Sequence, residues 1–475
     1  MKGIKEFKIL LLTYFLFSNV GVFSQTGNYW SDNFGSQSVL LNGVVTGSVE
    51  DLGAVYYNPA RIVFSKKTAL TISTKAYEIN NSFINEPGVG KLRVRNGSTG
   101  ASPNLVAGLF KIKGLKNHTF AYSFLLRQKS DFDIFNRRET KVDNDLYVEK
   151  RVFSKLAKER WYGLSWSHSI SKKLSVGASV FFSSRSQSNA LGYQIISLED
   201  STNVALLERN NNYSYSNYAL IPKLGVAFQN NSLALGLTVT IPRINVSGDG
   251  DIFYENIITD DFGSITDQDL FEYIVKNDSK SKVHSPLSIG AGAGIFLDKS
   301  KIHVSMEYFA PIKKYSVLET VHFEGQTSKN NIAVRYQERA RSIVNFGIGY
   351  EYKFNDKLTA YGSFSTDYSA QTSGDSVMIN DENTPVSFYK SNLYKIGGGF
   401  DYNPKWGDIS FGVNYAFSNQ NILDPFSLPS GSNLTLPGSA NTSSIEFRQR
   451  RVQFFVGVTF PFIKEILKNQ IFFEN

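Results

Sequence analysis

From about Lys66 to Phe462 the chain alternates, segment after segment, between large apolar residues and small or polar ones. Between Ile343 and Phe354, one face carries Val344, Phe346, Ile348, Tyr350, Tyr352 and Phe354, and the other Asn345, Gly347, Gly349, Glu351 and Lys353. Leu233, Leu235, Leu237, Val239 and Ile241 alternate in the same way with Ala234, Gly236, Thr238 and Thr240. Near the end, Val452, Phe454, Val456, Val458 and Phe460 alternate with Gln453, Phe455, Gly457 and Thr459. Period two is the mark of a β-strand, whose successive side chains point to opposite faces. The second face narrows the choice. A soluble sandwich sets a dense apolar face against a charged one, whereas here the second face is small and mildly polar. A barrel in lipid requires that arrangement, apolar outward and polar or small toward the lumen. A large soluble β-protein is the nearest structural competitor.

The alternation predicts fourteen strands, at 68–79, 103–112, 117–127, 160–170, 174–186, 213–229, 233–242, 284–297, 301–309, 337–353, 358–368, 390–403, 406–417 and 446–460. Six pairs are joined by tight polar turns: 113–116, 171–173, 230–232, 298–300, 355–357 and 403–405. Asn, Asp, Gly and Ser suit such turns because they tolerate the backbone angles required. Long connections, chiefly 128–159 and 243–283, alternate with the turns, as in bacterial outer-membrane barrels. The fold class expected is all-β, a transmembrane antiparallel barrel of about fourteen strands.

The N-terminus reads as a secretory signal over residues 1–24. Lys2, Lys5 and Lys8 precede the short apolar run Ile9–Phe17, and Val22-Phe23-Ser24 supplies a cleavage site. The run is too short to span a bilayer as a helix, and no Cys follows it to carry a lipid anchor. Zero Cys also removes disulfides, thiolate chemistry and Cys-ligated metals. The net charge of +8 is scattered over turns and loops with no phosphate-tracking stripe, so no nucleic-acid partner is expected. It is compatible with weak attraction to lipopolysaccharide, beside the plainer reading of solvated loop charge.

The five histidines, His118, His168, His284, His303 and His322, lack metal-ligand spacing and read as structural or solvated. The acidic run from Asp249 to Asp269 does not match a calcium loop. No nucleophile elbow of the Gly-x-Ser-x-Gly type occurs, so neither catalytic residue nor cofactor is expected. The aromatics Trp30, Tyr56 and Tyr57 either line a route for a hydrophobic ligand or pack the segment that holds them.

Between signal and first strand lies 25–65, neither strand-like nor low in complexity. It contains Gly43, Gly47, Asp51 and Tyr57 followed by Asn58-Pro59-Ala60. At this point the sequence resembles the FadL/TodX family of outer-membrane transport proteins, in which a small N-terminal hatch plugs the barrel. Asn before Pro favours an extended or turn conformation, and the Asn side chain can bond the local backbone. Asn58, Pro59 and Ala60 are therefore the site residues expected to set plug geometry; no ligand-binding residue stands out. The resemblance continues more loosely through Ser285–Gly292 and Phe346–Tyr352, across a barrel of 66–462. It implies a closing aromatic on the last strand, for which Phe462 is placed, although 463–475 continue as a tail, helical or frayed. It also implies a kinked third strand, yet 117–127 has no internal Gly or Pro to mark one.

What the resemblance implies is diffusion-driven uptake of hydrophobic small molecules, such as long-chain fatty acids or aromatic hydrocarbons, across a Gram-negative outer membrane. The Lys-, Asn- and Phe-rich composition is compatible with Bacteroidota. There, PorV-like relatives dock secreted or surface proteins in type IX secretion instead of transporting small molecules. A continuous apolar lumen pocket would favour transport, and a polar, filled lumen with apolar loop tips would favour docking.

Overall fold

The computed structural model describes residues 27–65, 70–86, 90–142, 145–199, 203–259, 269–371, 376–379, 382–385, 391–423 and 444–461. The expected signal, Phe462 and the tail 463–475 lie outside them. The chain runs through β1 (Leu70–Glu86), β2 (Gly90–Phe110), β3 (His118–Val142), β4 (Asp145–Ser169), β5 (Leu174–Glu199), β6 (Asn203–Gln229) and β7 (Leu233–Thr240). An outer hairpin, β8 (Ile244–Thr259) and β9 (Leu270–Lys280), precedes β10 (Ser288–Phe296) and β11 (Ser300–Phe309). Three short strands follow: β12 (Ile312–Ser316), β13 (Val321–Glu324) and β14 (Asn331–Ala340). Then come β15 (Ile343–Lys353), β16 (Leu358–Asp367), β17 (Ser376–Ile379), β18 (Glu382–Pro385), β19 (Leu393–Tyr402), β20 (Asp408–Leu423) and β21 (Ser444–Phe460).

Fourteen of these close into one antiparallel barrel, from β1 through β7, then β10, β11, β15, β16, β19, β20 and β21. β21 pairs back onto β1 from Leu70↔Phe460 to Asn85↔Glu446, so the sheet has no free seam at that point. The alternation reads out as expected. Val344, Phe346, Ile348 and Tyr350 face outward and exposed, while Asn345 is fully buried inside. All six short turns fall between the expected strands, at one end of the barrel.

The upper ends depart from expectation. β3, β4, β5 and β6 are 25, 25, 26 and 27 residues long, whereas about 9–11 tilted residues cross hydrocarbon. The expected loop 128–159 is mostly the continuing β3–β4 hairpin, paired as far as Val142↔Asp145. The connection 243–283 holds β8 and β9, with β8 laid on the upper half of β6. These outer halves carry charge where lipid no longer faces them, as in Arg137 and Glu139, so the lipid-like pattern stops although the ladder continues. The expected strand 337–353 is two strands. β14 ends at Ala340 and belongs to a small outer sheet with β12, β13, β17 and β18. Alternation persists on both sides of the break, so period alone does not locate it.

The barrel wall also parts. β2 and β3 pair only over Leu105–Phe110 against Phe120–Leu125. Above that, β2 stays with β1 and β3 with β4. The β3–β4 register slips between Leu126 and Gln128, a bulge at Arg127. A bulge bends a strand without needing Gly or Pro, which is why the sequence carries no sign of it. Pro103, just above the last β2–β3 pair, has no N–H to leave unpaired.

Ile348 lies midway along β15 with 52% of its surface exposed on the outer face. Ile348→Arg should destabilise the barrel by about 2–4 kcal/mol, the cost of a cation at the bilayer midplane. Reversible urea unfolding in phospholipid vesicles measures it, and an unchanged midpoint would place this face outside lipid.

Candidate functional site

The segment 27–65 fills the lumen as a hatch of two short helical turns, α1 (Gln37–Leu40) and α2 (Ala54–Tyr57), and a 3-10 stretch, Pro59–Phe64. None is long enough to be stable alone; side chains hold them together. The Asp51 carboxylate accepts from the Ser38 amide at 2.9 Å, the Ser38 hydroxyl at 2.8 Å and the Gly53 amide at 2.9 Å. That ties the start of α1 to the start of α2. Tyr57 accepts from the Phe34 amide at 2.9 Å. Phe34, Leu40, Leu41, Val45, Val49, Leu52 and Val55 pack into one apolar cluster with wall residues Leu105, Leu125, Trp161 and Phe181.

Asn58 is fully buried and extended, with φ −156° and ψ 103°. Its Oδ1 accepts from the Ala60 amide at 3.1 Å, and its Nδ2 donates to the carbonyls of Thr46 at 3.0 Å and Val226 at 3.2 Å. One amide side chain thus closes the Pro59 bend, joins two parts of the hatch and bonds the wall. The Ala60 carbonyl accepts from Ser167 at 3.0 Å and Ser175 at 2.7 Å. Pro59 and Ala60 lie against Gly177, where a Cβ would approach them to 2.5 Å. Cβ atoms at Gly225 and Gly236 would come within 2.2 Å of Asn58 Oδ1 and 2.3 Å of the Thr46 carbonyl.

The seat continues around the ring. Ser179 donates to the Val55 carbonyl at 2.9 Å, Ser363 to Leu40 at 2.9 Å and Asn414 to Val39 at 3.3 Å. Lys301 pairs with Glu50 at 2.7 Å and Lys75 with Asp32 at 2.7 Å. Ser48 Oγ lies 2.7 Å from His303 Nδ1, and His303 Nε2 lies 3.3 Å from Glu351. These are the residue types of a hydrolytic relay. Ser48 of the hatch and His303 of the wall are both buried, and neither lines the lumen cavity, so the group reads as a lock between hatch and wall. His118 and His168 pack ring to ring, tilted by 35°, on the outer face, and His284 stacks on Tyr315. No cluster of metal-binding side chains occurs among the described residues.

Above the Asn58 seat the extended hatch segment 27–34 climbs the lumen, with an isolated bridge at Asn28↔Ser369. Trp30 is held from three sides. Its amide donates to Asp367 at 2.9 Å, its indole to Glu307 at 2.7 Å, and its carbonyl accepts from Lys395. The Tyr29 carbonyl accepts from Arg127, the bulge residue, at 2.8 Å. Trp30, Asp32, Asn33, Tyr56, Lys223 and Glu307 line a small, partly open cavity between hatch and wall. The cavity mixes aromatic and charged groups. Lys223 stands 4.9 Å over the Tyr56 ring, and Arg127 lies 5.6 Å from Tyr56 and 5.5 Å from Trp161. Beyond Trp161, Glu159 accepts from Trp161 at 2.7 Å, Ser183 at 2.7 Å and Arg185 at 3.0 Å, with Arg243 at 3.7 Å. The lumen is thus filled, and neither uniformly apolar nor uniformly polar. Trp30, Tyr56 and Tyr57 both pack the hatch and line its cavity.

No family model matches the sequence, and no curated protein matches it. Solved structures match its fold. The Pseudomonas putida toluene transporter TodX superposes with a TM-score of 0.56 at 14% identity, covering 93% of this chain and 100% of that one. A FadL homologue from Pseudomonas aeruginosa gives 0.54 at 12%, with 93% and 100% covered. The Ralstonia pickettii toluene transporter TbuX gives 0.52 at 15%, with 90% and 98% covered.

Two outcomes follow from the seat. Gly236→Val, which sets a branched side chain against the Thr46 carbonyl, should leave the barrel folded and loosen the hatch. Hydrogen exchange at hatch amides should then rise at least tenfold while strand amides stay protected; unchanged hatch exchange would count against this seat. Burial pushes the Asp51 carboxyl up from its ordinary value, against its hydrogen bonds from Ser38 and Gly53. Burial also works against ionised Glu50, but Lys301 outweighs it and holds that carboxyl below its ordinary 4.5. Falling pH therefore protonates Asp51 first, relieving a buried charge. The Glu50–Lys301 contribution is fully present above 4.5 and lost as pH falls through the lowered value. Hatch exchange, corrected for intrinsic rate, should not rise between about pH 7 and 5, where protonation of Asp51 can only lower it, and should rise below about pH 4; a rise already near pH 6 would contradict this order. At the level of fold, the chain is similar to these solved barrels over nearly its whole length.

Proposed function

We propose that this chain is an outer-membrane channel through which hydrophobic small molecules enter by diffusion. The observation that carries the reading is the match, over nearly the whole chain, to plugged barrels whose described roles include toluene transport. A lumen of about fourteen strands would pass water and small solutes unless filled; this one is filled, so passage is selective. Asn58, Pro59 and Ala60 set the plug's geometry in this reading. A small groove between β6, β8 and β14, lined by Tyr213, Ile252, Phe253, Val334 and Tyr336 with Asn211 and Asn212, offers a largely apolar landing site at the outer end. Below it lie the cavity under Trp30 and the parted β2–β3 wall, backed by Leu105, Leu125, Trp161 and Tyr56.

Within the hydrophobic class, the incompletely bonded Arg243 beside this path favours an amphipathic ligand with an anionic head. Glu159 faces both Arg185 and Arg243, Glu338 also acts on Arg185, and Arg127 and Lys223 stand close to Tyr56 with Asp32 and Glu307 on the cavity lining. The test is uptake of radiolabelled oleate and toluene by a transport-deficient host carrying this protein in its outer membrane. Oleate uptake should be restored, and Arg243→Ala should lower it about tenfold with toluene little changed, the loss of one charge-assisted contact. No uptake of either, despite confirmed insertion, would overturn transport and favour protein docking.

A further inference from the structure

The six short turns on the periplasmic rim differ in charge. The β10–β11 turn sets Asp298 beside Lys299, and the β15–β16 turn pairs Lys353 with Asp356 at 2.7 Å. The β19–β20 turn holds Lys405 close to Asp408, and the β6–β7 turn, Asn230–Ser232, is neutral. The β2–β3 and β4–β5 turns carry Lys111, Lys113, Lys116, Lys172 and Lys173, all exposed. No acidic residue occurs in 103–130 or in 160–198. The five lysines make no ion pair among the described residues.

These two turns adjoin. The Ser169 amide donates to the Asn117 carbonyl at 3.0 Å, and the β3–β4 ladder begins at His118↔His168. Large apolar side chains stand among the lysines, Ile112 at 47% exposed, Leu115 at 41% and Ile170 at 55%. A turn in bulk water gains nothing from them; a turn seated at a lipid surface buries them. On the outer face just above, His118 lies 4.4 Å from His168 and 5.9 Å from Trp166, ring to ring. Trp166 donates its indole N–H to His118 at 2.8 Å. Aromatic rings of this kind settle at headgroup depth. Apolar anchors, aromatic rings and unneutralised ammonium groups are thus stacked in the order that a lipid presents chains, glycerol and phosphate.

We infer that this arc of the rim, at the foot of β2 to β5, binds anionic phospholipid headgroups of the inner leaflet. Clustered lysines beside a membrane surface act additively on anionic lipid. A second copy of the chain is the poorer occupant, because a two-fold contact would set five lysines against five. The place has a structural consequence: the arc lies directly beneath the short β2–β3 ladder, where a held lipid would brace the foot of the parted wall.

The full chain, reconstituted in phosphatidylcholine vesicles with brominated phosphatidylglycerol or brominated phosphatidylcholine, reports this through tryptophan quenching. The chain has four Trp, so the signal of Trp166 is the difference from Trp166→Phe. The brominated anionic lipid should be preferred about threefold or more near Trp166, and salt at about 0.5 M should abolish the preference. Joint replacement of Lys113, Lys116, Lys172 and Lys173 by Gln should abolish it too. Equal quenching by the two lipids overturns the site, as does a preference that survives salt or survives the four substitutions. The salt arm uses unaltered protein, so it decides even if the substituted chain fails to insert. Crosslinking between copies through Lys116 at the expense of lipid contact would also overturn it.

Discussion

Hydrocarbon offers the backbone no partner, so every N–H and C=O at that depth must be paired within the protein. The β1–β21 ladder is where this chain meets that demand, since it joins segments almost four hundred residues apart and removes both sheet edges. Within the barrel, a long stretch of described strand without its neighbour lies above the β2–β3 ladder. There the exposed edge is softened by two local features: Pro103 has no N–H to leave unpaired, and the bulge at Arg127 turns a guanidinium inward to the Tyr29 carbonyl. An opening in such a wall is costly to keep. This one lies beside the apolar cluster of Leu105, Leu125, Trp161 and Phe181.

Closure also sets the inner surface. Fourteen strands leave a lumen that must be filled by something, and a short segment with little regular structure fills it. A segment of that kind cannot hold its own shape by packing alone, so its carbonyls and amides are bonded by the wall. Ser167, Ser175 and Ser179 do this around Val55 and Ala60, Asn414 and Ser363 around α1, and Lys301 at Glu50. Each such bond contributes about 1 kcal/mol net, but they are distributed over nearly the whole ring. Freeing the hatch entirely would break them all at once. Even the 27–34 segment alone is bonded to the wall through Asn28, Tyr29, Trp30, Ser31, Asp32 and Asn33.

The sequence makes the strands legible because lipid imposes a strong outward signal, as at Val344 through Tyr350. It makes Asn58-Pro59-Ala60 legible because a residue before proline is conformationally restricted. Other features left no such mark. The upper halves of β3 to β6 lie beyond lipid, so their faces lose the contrast on which alternation depends. The bulge at Arg127 is a register slip, and a register slip has no preferred residue. The small residues of the inner face are visible, but what they serve is not. Gly225 and Gly236 are spaced like any lumen residues, and only the fold shows that Asn58 and Thr46 occupy the room a side chain would take. Ser48 and His303 are separated by 255 residues in the chain, and nothing local connects them.

The charge distribution inside the barrel follows from the same filling. A guanidinium removed from water needs several partners, and Arg185 has them in Glu159, Gln128, Gln187 and the Tyr215 hydroxyl. Arg243 has fewer, the Ser183 hydroxyl at 3.0 Å and Glu159 at 3.7 Å. A second carboxylate, Glu338, also acts on Arg185. Arg185 therefore faces two carboxylates, and of the pair Arg243 is the guanidinium left with nitrogens unbonded in a low-dielectric setting, where charge interacts more strongly than in water. Around Tyr56 the cations are matched as well, Lys223 by Glu307 and Arg127 by Asp32 and Asp367. The lumen thus carries this buried charge as balanced clusters, and at Arg243 that balance is less complete than at Arg185.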